Sequence, residues 1–553
     1  MTQPESAQTG ARLLVRCLQE QGVPFVFGIP GGAVSAILDA MADQGPRFVT
    51  VRHETAGAFM AQAYGRCTGE PGVVLTTSGP GLINAVCGVA TAQADRDPVV
   101  AITGQVPRTM RFKSYHQYLD TVGLFAPITK WSVAIDEPAT IPEILANAFR
   151  VAARPRPGAV HVSVPSDVSR AEATGHPLPR LDPAPGGLPP DDALGRAAGV
   201  IQSARRPVLL LGVAAGAAAA TAAIRRLLRK TSVPVACTFE GNGVVPRDLL
   251  DQFVGRVGYT HNQPADRLLR QADVVICVGY DLIEYDPTEW LRPATTVIHL
   301  DEVPATIDRA YQPAVELVGD IGRTIDALGE RIGEVVVQDA ELVREAREQL
   351  REEQLRGASL EGSPVHPLRI LHDLGQVIGD DVTVACDVGA HQIWTARYFF
   401  RFKPRRLLFS MGHQTMGVGL PWAIGAALAR PGESVVSISG DGSFLMTCME
   451  LETAVRLKLP TVHLVWRDGS FNLVGLLALR DYGREVGTHF GPTDFVMLAQ
   501  AFGAEGFRVN NSDEFRPTLE RALALKSPAV IEIPVDYRDN LPLVEPRRSW
   551  TID

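Results

Sequence analysis

The stretch from Ser437 to Val474 reads SISGDGSFLMTCMELETAVRLKLPTVHLVWRDGSFNLV and has an acidic glycine turn near each end. An apolar run stops at Gly440-Asp441-Gly442, and the pattern of a helix follows from Ser443 to Leu459. A second apolar run, Thr461 to Trp466, stops at Asp468-Gly469. In an open parallel sheet, ligands bind at the carboxyl ends of the strands, and a glycine turn that opens a helix offers N–H groups to an anion. Two carboxylates beside an anion indicate a bridging divalent cation, so we predict a magnesium and diphosphate site here.

Length and composition are those of a multidomain globular protein. At 553 residues the chain is long enough for three or four domains, each with its own core. The net charge of −9 is spread along the chain, which argues against a nucleic-acid surface. The most apolar windows, such as Pro207 to Ala220, are too short to cross a membrane. We therefore expect a small-molecule substrate, with neither a nucleic acid nor a membrane as partner.

The N-terminus and the cysteines both favour a cytoplasmic protein. MTQPESAQTGARLL, residues 1–14, has no basic segment leading into an apolar one, so we predict no signal peptide. The seven cysteines are scattered without a CxxC pair, which is typical of reduced thiols rather than of a disulfide framework or a zinc site. We expect a cytoplasmic location.

Strand-like and helix-like segments alternate along the chain in three blocks. A linker rich in proline and glycine, Leu181 to Asp191, follows the first block. A charged helix after Asp339 follows the second, and Gly362-Ser363-Pro364 opens the third. Such alternation is typical of βαβ units, so we predict an α/β fold with three doubly wound parallel-sheet domains. The predicted domains are residues 1–180, 192–338 and 362–553.

The third block repeats the order of the first. Gly79-Pro80-Gly81, a helix, Pro98 and a strand correspond to Gly440-Asp441-Gly442, a helix, Pro460 and a strand. We interpret the two blocks as related domains on either side of a central one. The alternative is that any two α/β domains look alike at this level.

The spacing of several motifs resembles one enzyme family. Asp441 and Asp468 are 27 positions apart, and Arg52-His53-Glu54 and Ser78-Gly79-Pro80-Gly81 lie in the first block. Together they resemble the thiamine-diphosphate-dependent enzymes of the acetohydroxyacid synthase and pyruvate oxidase group. The resemblance covers the whole chain and is closest to the catabolic acetolactate synthases. The shared stretches are MELETAVRLK (449–458), QTMGVGLPWAIGA (414–426), HQYLDTV (116–122) and PVDYRDN (534–540).

The resemblance assigns the third domain to diphosphate and Mg²⁺. Asp441 is expected to bind Mg²⁺, with Gly442 and Ser443 donating to the diphosphate. Most of the family has asparagine as the second metal ligand, whereas this chain has Asp468, as the catabolic acetolactate synthases do. The carbonyl of Ser470 is the expected third ligand. A second carboxylate near the diphosphate requires the divalent cation.

The resemblance assigns the first domain to the pyrimidine ring of thiamine diphosphate. Glu54 would hydrogen-bond the ring nitrogen, so that the cofactor's own imino nitrogen takes the C2 proton. The alternative for Glu54 is a surface ion pair with Arg52. One cofactor must bridge the first and third domains, and in this family the bridge joins different subunits, so we expect a homodimer or homotetramer with active sites at the subunit interface. Further cofactor-binding residues expected here are Gly31, Ser78, Gly81 and Asn84.

Other positions correspond to the remaining parts of the family's active site. Met416 would support the bent cofactor, and the carbonyl of Gln414 would accept from its amine. On periodicity alone, Met416 is a core methionine. Ala390 and His391 match a loop that contacts the diphosphate. The polar residues expected near the substrate are Gln117 and Lys130, for which a surface location is the alternative.

The implied activity is that of a carboligase. The expected reaction decarboxylates pyruvate and joins the hydroxyethyl adduct to a second pyruvate, giving 2-acetolactate. His116 is followed by Gln117 rather than by a second histidine, which favours bond formation over simple 2-oxoacid decarboxylation. Because Gly212 and Gly216 do not make a GxGxxG pattern, we expect no FAD, and hence no pyruvate oxidase. A catalytically silent subunit is disfavoured because Glu54 and Asp441 are both present.

The helix after the metal turn departs from the catabolic synthases. Leu477 stands where a glutamine near the acceptor site is expected, and Leu473 stands where a methionine is usual. An apolar lining cannot pair a carboxylate. A related carboligase with a more apolar ketone or aldehyde acceptor is therefore the alternative function. The predicted substrate pocket comprises Gln117, Leu473, Val474 and Leu477.

Overall fold

The computed structural model describes residues 8–43, 45–111, 113–181, 186–258, 263–333, 335 and 340–545, and these form three six-stranded parallel sheets. The strands of the N-terminal region are β1 (Gln8–Thr9), β2 (Phe25–Gly28), β3 (Arg47–Thr50), β4 (Gly72–Thr76), β5 (Val99–Gln105), β6 (Trp131–Ala134), β7 (Ala159–Pro165) and β8 (Glu172–Ala173). Those of the central region are β9 (Pro207–Leu211), β10 (Val235–Cys237), β11 (Phe253–Arg256), β12 (Val274–Val278), β13 (Thr296–Asp301) and β14 (Val315–Val318). Those of the C-terminal region are β15 (Thr383–Cys386), β16 (Leu407–Leu408), β17 (Val435–Gly440), β18 (Thr461–Arg467), β19 (Glu505–Arg508) and β20 (Ala529–Pro534).

Helices connect the strands of every sheet. In the N-terminal region they are α1 (Gly10–Glu20), α2 (Ser35–Asp43), α3 (Glu54–Thr68), α4 (Pro80–Ala94), α5 (Thr121–Phe125), α6 (Ile141–Ala153) and α7 (Ser166–Arg170). The central region has α8 (Asp191–Ser203), α9 (Ala218–Lys230), α10 (Pro264–Gln271), α11 (Ile321–Ile332) and α12 (Ala340–Arg356). The C-terminal region has α13 (Pro367–Val377), α14 (Ala390–Tyr398), α15 (Gly419–Ala429), α16 (Asp441–Leu445), α17 (Leu451–Leu457), α18 (Asn472–Tyr482), α19 (Phe495–Ala501), α20 (Ser512–Ala524) and α21 (Leu541–Val544).

The first and third sheets share one strand order. The N-terminal sheet runs β3-β2-β4-β5-β7-β6, and the C-terminal sheet runs β16-β15-β17-β18-β20-β19. Numbered from its own first strand, each sheet is 2-1-3-4-6-5. Every residue of β5 and of β7 is buried, as expected for a parallel sheet covered on both faces. The repeat predicted from the sequence therefore extends to the order of all six strands.

The central sheet has a different order, β11-β10-β9-β12-β13-β14. Numbered from β9 this is 3-2-1-4-5-6, the order of dinucleotide-binding folds, with the switch point between β9 and β12. The small antiparallel pair of β1 and β8 lies outside the three sheets.

The predicted α/β class with three parallel-sheet domains is confirmed. The domain boundaries stay predictions, and residues 182–185 of the predicted linker and 336–339 before α12 lie outside the described residues. The chain divides into two compact units: one comprises residues 1–184, 420–432 and 447–459, and the other comprises residues 185–419, 433–446 and 460–553. Two segments of the C-terminal region thus group with the N-terminal sheet.

The single helix predicted from Ser443 to Leu459 is wrong. Helix α16 ends at Leu445, Thr447 has φ −135°, a short 3₁₀ turn covers Cys448–Glu450, and α17 follows. The break separates residues of the second unit from residues of the first. Within the described residues, no helix is long and apolar enough to cross a membrane.

Candidate functional site

Asp441 lies where β17 ends and joins the two acidic turns. Its Oδ2 accepts from the backbone N–H of Asp468 at 3.1 Å and of Gly469 at 2.7 Å, and its Oδ1 accepts from the N–H of Gly442 at 2.9 Å. Strands β17 and β18 are adjacent and parallel, so their carboxyl ends meet at one edge of the sheet. The two predicted metal ligands, Asp441 and Asp468, are therefore brought together.

The electrostatics of this pair favour a cation. Burial raises the pKa of Asp441 to about 6; the N–H of Gly469 opposes this shift, and the charge of Asp468 adds to it. Burial likewise raises the pKa of Asp468, against hydrogen bonds from Ser470 Oγ at 2.9 Å and Asn472 Nδ2 at 2.8 Å. Two neighbouring carboxylates that resist ionisation are stabilised when a divalent cation lies between them.

The described residues contain no group of three histidine, cysteine or carboxylate side chains able to hold a metal ion. A cation between Asp441 and Asp468 therefore needs other oxygens, and the carbonyl of Ser470 together with a bound diphosphate would supply them. Ser443 is buried, and its hydroxyl donates to the carbonyl of Gly440 at 3.1 Å. The donor set fits Mg²⁺ held jointly by protein and diphosphate.

His391 adds a buried nitrogen beside the same turn. Ala390 and His391 open helix α14 just after β15, and a side chain added at Gly440 would lie 3.2 Å from His391 Nδ1. His391 is 3% exposed, and its Nε2 has no hydrogen-bond partner in the described part of the chain. Burial lowers its pKa to about 3, so the ring is neutral. The N-terminus of helix α14 beside this turn fits an anion such as a diphosphate.

The loop with Gln414 and Met416 connects this edge of the sheet to helix α15. Gln414 has φ +48°, a conformation that non-glycine residues rarely adopt and that is common at functional sites. Its side chain is exposed, while Met416 is half-buried. The unusual backbone at Gln414 is consistent with the predicted use of its carbonyl as an acceptor.

Glu54 is the first residue of helix α3 in the other compact unit. Asn84 of helix α4 donates from Nδ2 to Glu54 Oε2 at 3.0 Å, and a side chain at Gly81 would begin 3.0 Å from Oε1. The two helices pack closely because small residues face each other: a Cβ at Gly88 would lie 2.5 Å from that of Ala58. Glu54 is buried and held by an amide, so the surface ion pair with Arg52 is not the arrangement found.

Gln117 lies against the predicted glycine turn. Ser78 Oγ donates to Gln117 Oε1 at 3.0 Å, and Gly79 packs against the Gln117 side chain. Gln117 has φ +62°, so it shares with Gln414 a rare backbone conformation. Gly31 packs on Thr77, one residue before Ser78. The structure therefore gathers these predicted residues where β2, β4 and β5 end.

Comparison with known proteins bears directly on these two groups of residues. The chain matches the thiamine pyrophosphate enzyme models for the N-terminal TPP binding domain (8–124), the central domain (194–328) and the C-terminal TPP binding domain (387–533). It is 47% identical over 542 residues to acetolactate synthase of Bacillus subtilis strain 168, covering 97% of this chain and 94% of that protein. It is 44% identical over 534 residues to the catabolic acetolactate synthase of Raoultella terrigena, covering 96% of each. A probable acetolactate synthase large subunit of Methanocaldococcus jannaschii is 34% identical over 554 residues, covering 97% of this chain and 93% of that protein.

The chain belongs to the acetolactate synthase family of thiamine pyrophosphate enzymes. Thiamine diphosphate is the cofactor of this family, and its Mg²⁺ partner fits the paired carboxylates described above. The contribution of each individual residue to cofactor binding stays a prediction.

Lys130 is the predicted site residue that the structure does not bring to the others. It lies just before β6, at the amino edge of the sheet, whereas Gln117 and Glu54 follow the carboxyl ends of strands. Its Nζ donates to the carbonyls of Arg154 at 3.3 Å and Arg156 at 3.1 Å, and burial lowers its pKa to about 8. These contacts indicate that Lys130 stabilises the segment that precedes β7.

The predicted substrate-pocket residues on α18 face different ways. Leu473 and Leu477 are partly buried and pack against the C-terminal core, whereas Val474 is 58% exposed. Among these three apolar side chains, Val474 is therefore the one most accessible to a ligand or to a second copy of this protein.

In the central domain, the crevice at the switch point between β9 and β12 contains hydrogen bonds within the chain. At the switch point, Val213 N–H donates to Glu284 Oε1 at 3.1 Å, and Ala214 N–H donates to the carbonyl of Gly279 at 3.0 Å. Thr238 Oγ donates to Glu284 Oε2 at 2.6 Å. The N–H groups that would face a dinucleotide diphosphate are thus bonded within the chain. That the protein holds no FAD stays a prediction.

Two buried carboxylates near the site were not among the sequence predictions. Glu450 Oε1 accepts from the N–H groups of Arg52 at 2.8 Å and His53 at 3.0 Å, directly before Glu54. Asp387 lies where β15 ends, the same position in its strand turn that Asp441 occupies after β17. The position of an acidic residue after a strand is a usable signal for Asp387, but β15 itself was not predicted. Glu450 offers no such signal, because its partners are almost 400 positions away.

Proposed function

We propose that the protein is an acetolactate synthase that converts two molecules of pyruvate into 2-acetolactate and carbon dioxide. The observation that carries the proposal is that both groups of predicted residues have the side chains and the contacts that the reaction needs. Glu54 is buried and oriented by Asn84, and Asp441 is paired with Asp468. The full-length identity to proteins named acetolactate synthase supports the same substrate.

Each group has a defined task in this proposal. Thiamine diphosphate, when bound, supplies a nucleophilic carbon and an electron sink for decarboxylation. Glu54 would hydrogen-bond the pyrimidine ring nitrogen through Oε1, because Oε2 is already bonded to Asn84. Asp441 and Asp468 would bind Mg²⁺, and the start of helix α14 beside them would face the diphosphate. Burial keeps water from these groups, which strengthens each interaction.

Gln117 favours carbon–carbon bond formation over release of an aldehyde. Its amide is fixed by Ser78 and by its own backbone conformation beside the glycine turn. An amide donates to a ketone or carboxylate oxygen without being an acid, so it can orient an acceptor without protonating the reactive carbon. A plain 2-oxoacid decarboxylase would need a proton donor there.

A second candidate is a related carboligase that takes a more apolar ketone or aldehyde as acceptor. It is favoured by the leucine at position 477, where catabolic synthases have a glutamine, and by the exposed Val474 on the same helix. Both candidates share the first half of the reaction and differ only in the acceptor.

We also propose that the active enzyme is a homodimer or homotetramer with its active sites at the subunit interface. The support is that the Glu54 group and the Asp441 group belong to separate compact units, and that several relatives are named large subunits. A cytoplasmic location is proposed because none of the seven cysteines, all of which lie in the described residues, forms a disulfide, as is typical of a reducing compartment.

The test is incubation with pyruvate, thiamine diphosphate and Mg²⁺, first alone and then with a panel of ketones and aldehydes, with products identified by mass. We expect acetolactate from pyruvate alone. Consumption of pyruvate only when another acceptor is present would support the second candidate, and acetaldehyde as the main product would indicate a decarboxylase. The Glu54→Gln variant is the control for cofactor-dependent turnover.

A further inference from the structure

Asp387 is a fully buried carboxylate whose bonded partners in the described chain are all neutral hydrogen-bond donors. Its Oδ1 accepts from the N–H of Val388 at 2.8 Å and of Gly417 at 2.8 Å. Its Oδ2 accepts from the N–H of Gly419 at 2.9 Å and from Ser439 Oγ at 3.3 Å. A carboxylate has about four acceptor sites, and all four are in use here.

These donors belong to three different segments. Val388 starts the turn that leads to Ala390 and His391, and Ser439 lies two residues before Asp441. Gly417 follows Met416 in the loop that precedes α15, and Gly419 is the first residue of α15. One carboxylate therefore joins the loop to both segments that carry the expected diphosphate ligands.

The loop is shaped for this contact. Gly417 has φ +82°, which favours glycine, and a Cβ at Gly419 would lie 2.5 Å from Ser439 Oγ and 3.0 Å from Asp387 Oδ2. Gln414, three residues earlier, is held at φ +48°. A non-glycine residue keeps such a conformation only when its surroundings fix it, and the two N–H bonds to Asp387 anchor the carboxyl side of this loop. Hydrogen bonds to an ionised acceptor are shorter and stronger than neutral ones.

We propose that Asp387 is a positioning residue that holds the Gln414–Gly419 loop in register with the diphosphate segments, so that Gln414 and Met416 meet the bent cofactor at a fixed place. Asp387 acts through Gly417 and Gly419 and does not itself contact the cofactor. The proposal rests on the assignment of this edge of the C-terminal sheet as the diphosphate site. It does not depend on which acceptor the enzyme uses.

The discriminating variant is Asp387→Asn. Whichever way the amide is turned, its NH₂ group faces a backbone N–H of the loop, either Gly417 or Gly419, so at least one loop bond is lost. Asp373→Asn is the matched control, because Asp373 is a buried carboxylate of the same domain that accepts from Arg369 Nε at 2.7 Å on helix α13.

The readout compares two ligands by calorimetry in the presence of Mg²⁺. Thiamine diphosphate reaches the loop, whereas inorganic diphosphate engages only the diphosphate segments. In Asp387→Asn we expect the affinity for thiamine diphosphate to fall about tenfold to a hundredfold, as for one lost charge-assisted hydrogen bond. The affinity for inorganic diphosphate should stay within about threefold, and Asp373→Asn should change neither. An equal fall for both ligands, or no fall for either, would overturn the proposal.

Backbone amide hydrogen exchange in the wild-type protein keeps the proposal testable if Asp387→Asn fails to fold. The N–H groups of Gly417 and Gly419 both donate to Asp387, so we expect their amides to be protected from exchange before cofactor is added. Rapid exchange at both positions would contradict the proposal. If the wild-type protein binds thiamine diphosphate but makes no acetolactate, the proposed function fails while the role of Asp387 stands.

Discussion

The Glu54→Gln variant is the sharpest test of the pyrimidine half of the site, because the structure dictates how the new amide must lie. Asn84 donates to Oε2 of Glu54, so the carbonyl of a glutamine has to take that position. The NH₂ group then occupies the place of Oε1, beside Gly81. An amide there donates a hydrogen bond but cannot give or take a proton.

The expected magnitude follows from that loss. A positioned acid or base contributes about 10²- to 10⁴-fold to a rate, which corresponds to about 3 to 5 kcal/mol of activation free energy. We therefore expect kcat of Glu54→Gln to fall by about 10²- to 10⁴-fold. The affinity for thiamine diphosphate should change by less than about tenfold, because the helix packing and the contact with Asn84 are retained.

The assay measures initial rates of acetolactate formation with cofactor and Mg²⁺ at saturation, alongside calorimetric binding of thiamine diphosphate. Asn84→Ala is the companion variant: Glu54 keeps its acid but loses its orientation, so we expect a smaller fall of about tenfold in kcat. Near-normal turnover by Glu54→Gln would remove Glu54 from its role. Weaker cofactor binding with a normal kcat at saturating cofactor would show that Glu54 serves only to bind.

Three further variants test other parts of the structure. Burial raises the pKa of Glu284 from 4.5 to about 8, so its contribution to stability is present below about pH 4.5 and is lost as the pH rises to about 8. The Glu284→Gln variant carries an isostere of the protonated acid and should lack this pH dependence. Parallel melting-temperature profiles of the two proteins from about pH 5 to 8 would refute this expectation. Glu450→Ala leaves the backbone N–H groups of Arg52 and His53 without their acceptor, so the free energy of unfolding measured in urea should fall by about 1–3 kcal/mol for each, and kcat should fall as well. The control, Glu452→Ala, breaks a half-exposed ion pair with Arg52 and should lower the free energy of unfolding by less than about 1 kcal/mol. Leu477→Gln should raise the share of acetolactate over products of an apolar ketone in competition, and an unchanged product ratio would show that this position does not affect the acceptor.

The parallel sheets follow from local patterns, whereas the errors come from weak edge-strand patterns and from tertiary packing. Buried central strands such as Val99–Gln105 and Ala159–Pro165 are long apolar runs bounded by glycine or proline, a pattern that indicates a strand. Strands β6, β11, β16 and β19 lie at the edges of their sheets or are as short as two residues, and such strands have weak patterns. The break in the helix from Ser443 to Leu459 arises from tertiary packing, in which Glu450 caps the turn at Arg52 and His53.

The candidate site was predictable where its residues follow strand ends. Asp441, Asp468 and Glu54 each stand at such an end, and their spacing carried the family resemblance. Asp387 and Glu450 act on backbone N–H groups of distant segments, and no periodicity or spacing in one sequence encodes such contacts. Lys130 aligned with a polar position, but it lies at the opposite edge of its sheet from Glu54.

The most direct measurement uses pyruvate labelled with carbon-13 in its carboxylate as the sole substrate, with thiamine diphosphate and Mg²⁺. Acetolactate synthesis removes the carboxylate of the donor and keeps that of the acceptor. The predicted result is one labelled carbon dioxide for each acetolactate, and one labelled carboxylate retained in each acetolactate. Labelled carbon dioxide accompanied by unlabelled acetaldehyde, with no labelled acetolactate, would contradict the account.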